Sequence, residues 1–228
     1  MNTFLHAMHS SPFPLLGDAF CSEPFLLPLT PDNAALAGRD LADQVAFQAF
    51  IEREYGTAAW GLAEYLEYRE PLLQHLPQMA ATQRYFHLGL DVIAPVRSLL
   101  YAPLDGTVFT SGYEEGLGNY GGYVVTRHEA PSGAFFCLYG HLQRMDLPPA
   151  AMFLPRGEPF ARIGDFSENG FWFHHTHMQL LTQRALDEGR MFQGYVTRAE
   201  LPLVPELFPS PHAVFRSWVR YSQEVSIC

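Results

Sequence analysis

The chain has 228 residues, 48% of them apolar and only 17% charged, which is enough apolar side chain for a substantial core and too little charge for a disordered chain. All 14 basic residues are arginine, set against 24 acidic ones for a net charge of −10. That balance excludes a nonspecific nucleic-acid binder, which needs a basic face to neutralise phosphates, and leaves no polybasic patch for anionic lipid.

Taken from its start, the chain carries no Lys or Arg between Met1 and Phe20, and Pro12 and Pro14 break the stretch, so no secretory signal is expected. Nowhere does it offer the run of about 18 apolar residues that would predict an integral membrane segment. Cys21, Cys137 and Cys228 are odd in number and far apart, which argues against a disulfide framework or a zinc ribbon. A cytoplasmic location is the simplest expectation. A periplasmic or extracellular one follows if a signal has been trimmed or export is non-classical.

The first 35 or so residues, rich in Pro, Leu and Ser, read as an extended lead-in on the domain surface. Leu41, Val45, Phe47, Phe50 and Ile51 then recur at mostly three- and four-residue steps, predicting a helix from Asp40 to about Gly56. A second helical stretch is expected over 58–68, before Pro71, and the two would cover one end of a sheet. From Tyr85 the period shortens: Leu99-Leu100-Tyr101, Gly106 to Phe109, Tyr123 to Thr126 and Phe135 to Tyr139 are separated by Gly and Pro. These predict an antiparallel sandwich or barrel. The glycine-rich Gly116–Gly122 stretch reads as a hairpin connection or as the border of a groove. Beyond Gln183 the sequence is proline-rich and is expected to wrap the core.

Histidine carries the chemical signal. His175 and His177 lie two apart, on one face of a strand, and two imidazoles on one face suit a metal site. His87 and Asp91 lie four apart with Gly89 between them, which disfavours a helix and favours an extended segment with both on one side. Two His nitrogens and one carboxylate oxygen are a typical set for catalytic zinc, leaving the fourth position for water. His6, His9, His75, His128 and His212 read as surface or hydrogen-bonded core histidines, and Cys137 as core packing.

In order, the segments His87-Leu88-Gly89-Leu90-Asp91, Tyr101 to Val108, Gly118-Asn119, Tyr139-Gly140-His141-Leu142 and His175-Thr176-His177 resemble the lysostaphin/LytM-type zinc metallopeptidases. The Gly164–Trp172 loop is similar to a branch of that family fused to phosphotransferase-like and class III aminotransferase-like domains. The resemblance implies a mainly β fold: an antiparallel sheet sandwich or open barrel with an N-terminal helical segment. It divides the chain into a packing segment (1–80), a zinc metallopeptidase domain (81–185) and a C-terminal extension (186–228). It implies that Zn2+ is held by His87, Asp91 and His177, with His141 and His175 as further active-site histidines, their roles as base and hydrogen-bond donor unassigned. It also implies an endopeptidase acting on peptidoglycan bridges or stems. Tyr120 and Asn119 would border the groove.

Relatives usually carry Pro before the HxH pair and Phe-Glu after it. Here His174 precedes the pair and Met178-Gln179 follow it, and Gln179 falls on the face of His177, where its amide could hold an active-site group. Two further readings compete: a noncatalytic peptidase-like module that binds or regulates a partner protein, and a structural zinc site, which would ordinarily be closed by four protein ligands.

Overall fold

The computed structural model describes residues 12–131 and 133–214. Along them run β1 (Phe25–Leu26), α1 (Gln44–Tyr55), β2 (Gly61–Ala63), α2 (Glu70–Leu73), α3 (Pro77–Thr82), β3 (Phe86–His87), β4 (Leu90–Ile93), β5 (Leu99–Tyr101) and β6 (Gly106–Glu114). Then follow β7 (Gly121–His128), β8 (Phe135–Leu142), β9 (Phe153–Leu154), β10 (Pro159–Arg162), β11 (His175–Thr182), α4 (Gln183–Asp187), β12 (Tyr195–Val196) and α5 (Val204–Leu207). Eight strands make one sheet in the order β1-β2-β4-β11-β8-β7-β6-β9, with β10–β5 and β12–β3 as separate pairs. All pairings are antiparallel except β1–β2. The fold is mainly β, as expected, and the large sheet is open, not a closed barrel.

Alternation along the central strand β11 sorts its two faces. Met178 and Leu180 enter a core with Leu90, Val92, Cys137 and Tyr139. The β5–β10 pair covers that face through Leu100, Phe160 and Ala161, with Tyr139 edge-on to Phe160 at 5.0 Å. His175, His177 and Gln179 take the opposite face. At their end of the sheet a second core gathers Phe47, Phe50 and Ile51 of α1 with Ile93 and Phe173. A third packs Val204, Leu207 and Phe208 against Phe136, Leu138 and Leu181, so the proline-rich tail does wrap the core.

Helix α1 forms where its periodicity placed it. Asp43 caps it by accepting a bond from Ala46 N (2.9 Å), and Gly56 follows its last residue. Two expectations fail. The lead-in is not superficial: Leu15, Leu27 and Leu29 are fully or almost fully buried, because β1 joins the large sheet beside β2. The second stretch is not a helix but contains strand β2, whose Leu62 pairs with Val92 of β4. Gly61 permits this pairing, since a Cβ there would meet the Phe25 ring at 2.2 Å. Tertiary pairing overrides local propensity.

Candidate active site

Strand register assembles the first three groups. His177 of β11 lies directly opposite Asp91 of β4, and β3 ends on His87. The His87–Asp91 segment is not one strand, as an extended reading would have it, but two, broken at Leu88-Gly89. The break still brings His87 Nε2 to 3.2 Å from Asp91 Oδ1. Gly89 is required by packing: a Cβ there would lie 2.4 Å from His177 Cε1 and 2.6 Å from its Nε2.

Hydrogen bonds to acceptors fix which ring nitrogen carries the proton. His87 Nδ1–H donates to the Glu64 carbonyl (2.9 Å), leaving Nε2 bare. His177 Nε2–H donates to Gln179 Oε1 (2.9 Å), leaving Nδ1 bare. The Gln179 amide is oriented by its own Nε2, which donates to the Gln193 carbonyl (3.1 Å). The two bare nitrogens face each other at 2.9 Å, and each is 3.2 Å from Asp91 Oδ1. Three buried acceptors with no proton among them call for a cation. Zinc at about 2.0–2.1 Å from each of its tetrahedral ligands sets them roughly 3.3–3.4 Å apart, so these side chains fit that ion closely. They are also the one such grouping of histidine, cysteine or carboxylate ligands among the described residues.

His175 and His141 stand beside this triad. His175 Nδ1–H donates to the Phe173 carbonyl (2.8 Å), and its Nε2 lies 3.6 Å from Asp91 Oδ1. His141 Nδ1–H donates to the Asn169 carbonyl (2.8 Å), and the two rings are 4.4 Å apart. By simple alternation His141 would follow Cys137 and Tyr139 into the core. The register between β7 and β8 shifts here: Gly122 pairs with Leu142 but Val124 with Tyr139, so Gly140 and His141 together oppose one residue. This is a β-bulge, which re-aims side chains, and His141 takes a left-handed backbone (φ 62°) to achieve it. Helix α1 steadies the approach to β11: Gln44 Oε1 accepts from Phe173 N (2.9 Å) and Gln48 Oε1 from His174 N (2.8 Å).

Burial dominates the electrostatics. It pushes His87 down to about 3, with Arg69 adding to the effect, and His175 down to about 4. His141 is held well below the ordinary histidine range by burial and by His175. For Asp91, burial raises the pKa, but His87, Arg69 and His175 outweigh it and keep the carboxylate ionised. His87, His141 and His175 therefore rest neutral beside an ionised Asp91, and a neutral imidazole and a carboxylate are the forms that ligate metal.

The sequence gives no sign of Arg69. It is almost wholly buried and donates from Nη1 to Asp91 Oδ2 (2.5 Å) and from Nε to Glu67 Oε2 (3.0 Å). Tyr195, opposite His87 in the β12–β3 pair, lies with its ring 5.4 Å from that of His87, tilted by 40°. Asn169 and Trp172 were also missed. A small cleft opens here, lined by His141, His177, Glu114, Asn119, Tyr120, Trp172, Phe192 and Tyr195. The glycine-rich loop thus does border the site. Asn119 serves it indirectly, its amide donating to the Glu115 carbonyl (2.6 Å). Tyr120 is buried, its ring 5.3 Å from that of His177 and its hydroxyl 3.4 Å from Gln179 Oε1. His174 turns away and pairs with Asp165 (3.3 Å). His128 bonds Thr126 and the Asp105 carbonyl, and His212 pairs with Glu64. His6, His9 and Cys228 lie outside the described residues.

Residues 85–187 match the model of peptidase family M23. No curated protein matches the chain. Among solved structures, it is similar to a zinc-containing peptidase from Vibrio cholerae at 25% identity, covering 42% of this chain and 27% of that one, with a TM-score of 0.35. It is similar to the catalytic domain of lysostaphin from Staphylococcus simulans at 18% identity, covering 42% and 68%, with a TM-score of 0.36. A putative M23 peptidase from Pseudomonas aeruginosa is 19% identical over 56% of this chain and 43% of that one, at a TM-score of 0.38.

Proposed function

Residues 85–187 being a domain of peptidase family M23, we propose that the chain is a zinc-dependent endopeptidase that hydrolyses peptide bonds in peptidoglycan cross-bridges or stem peptides. The observation that carries this reading is the convergence of His87 Nε2, His177 Nδ1 and Asp91 Oδ1 within 2.9–3.2 Å, with two further buried histidines at its edge. When bound, zinc supplies a Lewis acid that polarises the scissile carbonyl and acidifies water.

The rest falls to the chain's own side chains. His141 and His175 each commit Nδ1–H to a backbone carbonyl, so both present a bare Nε2, and both are proton acceptors at rest. The one that takes the proton from water then holds it at Nε2. From there it hydrogen-bonds the developing oxyanion or passes the proton to the leaving amine. Burial of both rings excludes bulk water and keeps them neutral before the substrate arrives. Among the described residues, the cleft's only acidic lining side chain is Glu114, and its Oε2 accepts from Tyr120 N (3.1 Å).

The test combines metal analysis of the purified protein with mass spectrometry of digested peptidoglycan fragments. Zinc-loaded wild type should cleave, His177→Ala should lose zinc and activity, and His141→Ala should keep zinc and lose activity. Failure of the zinc-loaded wild type to cut any fragment refutes the proposal. A noncatalytic partner-binding module would instead show a stable protein partner whose activity rises equally with His141→Ala.

A further inference from the structure

Two oxygens of one carboxylate do different work at this centre. Asp91 Oδ1 faces the bare nitrogens of His87 and His177, 3.2 Å from each. Asp91 Oδ2 is occupied by Arg69 Nη1 at 2.5 Å. The guanidinium itself cannot swing away. Both it and Glu67 are buried, side chains 1% and 7% exposed, and Glu67 Oε2 holds it from the other side at 3.0 Å. Its Nη2 reaches the Glu64 carbonyl at 3.4 Å, the same carbonyl that fixes the tautomer of His87. An isolated buried ion pair is a poor stabiliser. This one sits on a group that must also face a cation.

A carboxylate beside a metal can bind through one oxygen or two. Two-oxygen binding by Asp91 would fill a coordination position that water or a substrate oxygen needs, closing a site that chemistry requires open. We infer that Arg69 is a positioning residue that holds Asp91 to single-oxygen ligation by occupying its second oxygen, so that segment 61–69, ahead of the family-matching region, completes the metal centre. The inference rests on the metal centre of the function proposed above and not on any cleavage activity.

Cobalt(II) in place of zinc reads coordination directly, because a four-coordinate ion absorbs visible light more strongly than a five-coordinate one. The full chain is prepared as wild type, Arg69→Lys, Arg69→Gln and Glu67→Gln, loaded with Co2+, and its zinc affinity is measured by competition with a chromophoric chelator. Arg69→Lys keeps a buried cation and so protects the fold, but a single ammonium cannot span Glu67 and Asp91 together. Its visible band should weaken, that of Arg69→Gln should weaken further, and zinc affinity should change by about 10- to 100-fold. Glu67→Gln removes the charge of the buried pair but keeps a side-chain oxygen that can accept from Arg69 Nε, and it should keep the wild-type band. An unchanged band and zinc affinity in Arg69→Lys overturn the inference. So does a Glu67→Gln band that weakens as much as that of Arg69→Lys, because the band would then follow the charge of the buried pair and not the contact on Asp91 Oδ2. A protein that cuts no peptide but shows these spectral changes would sink the peptidase reading and leave this one standing.

Discussion

Replacing Gly89 by alanine adds one methyl group where the candidate ligand His177 packs. The new Cβ would stand 2.4 Å from His177 Cε1, 2.6 Å from its Nε2 and 2.8 Å from the Met178 carbonyl oxygen, whereas ordinary contact begins near 3.4 Å. The ring must therefore retreat by about 1 Å (3.4 − 2.4). Gly89 is not among the glycines with positive φ, so alanine suffers no backbone penalty and the effect is steric. A metal site tolerates ligand displacements of only about 0.2 Å. A shift of this size removes His177 as a ligand, and we expect zinc affinity to fall at least about 100-fold, roughly 2.8 kcal/mol. Overpacking should destabilise the metal-free protein by only about 1–3 kcal/mol, leaving it folded. Chelator competition gives the first quantity and urea unfolding the second. A folded Gly89→Ala protein that binds zinc as tightly as wild type would show that His177 is not held where the geometry requires.

Gln179→Leu removes the acceptor that fixes the His177 tautomer, and zinc affinity should drop about 10- to 100-fold with circular dichroism unchanged; equal affinity would count against the tautomer argument. Gln48→Ala strips the buried His174 N–H of its acceptor and should cost about 1–3 kcal/mol in urea unfolding. His87 and His175, at about 3 and about 4 in the folded protein against roughly 6.5 unfolded, make the metal-free protein acid-labile. Between about pH 4 and 6.5 the unfolded chain binds protons that the folded chain refuses, so stability falls as pH falls, by up to about 1.4 kcal/mol per pH unit for each histidine. A urea midpoint that does not move between about pH 7 and pH 5 would contradict this.

The five histidine and aspartate positions were legible because short-range spacing encodes them: HxH reads as one strand face, and a family-like order supplies the rest. The bulge that turns His141 toward His175 was not, since strict alternation would send that ring into the core and nothing in Tyr-Gly-His-Leu announces an extra residue in the ladder. Arg69 was invisible for a different reason. Its partner lies 22 positions away, and its own surroundings carry no periodic pattern. Helix α1 was read from its apolar spacing, but Gln44 and Gln48 looked like ordinary polar positions and instead bond the backbone ahead of β11. The lead-in misled because its buried leucines belong to a strand pairing that only β2 makes apparent.

The order β1-β2-β4 at one end of the sheet has a practical corollary. A truncated chain starting at residue 85, the first position of the family match, would lose β1, β2, α1 and the arginine on Asp91 at once. The strand bearing Asp91 would become a bare margin, its backbone amides and carbonyls open to any passing polypeptide. Self-association in place of metal uptake is what such a fragment should show, so the smallest portable unit starts well upstream, no later than the phenylalanine that opens β1.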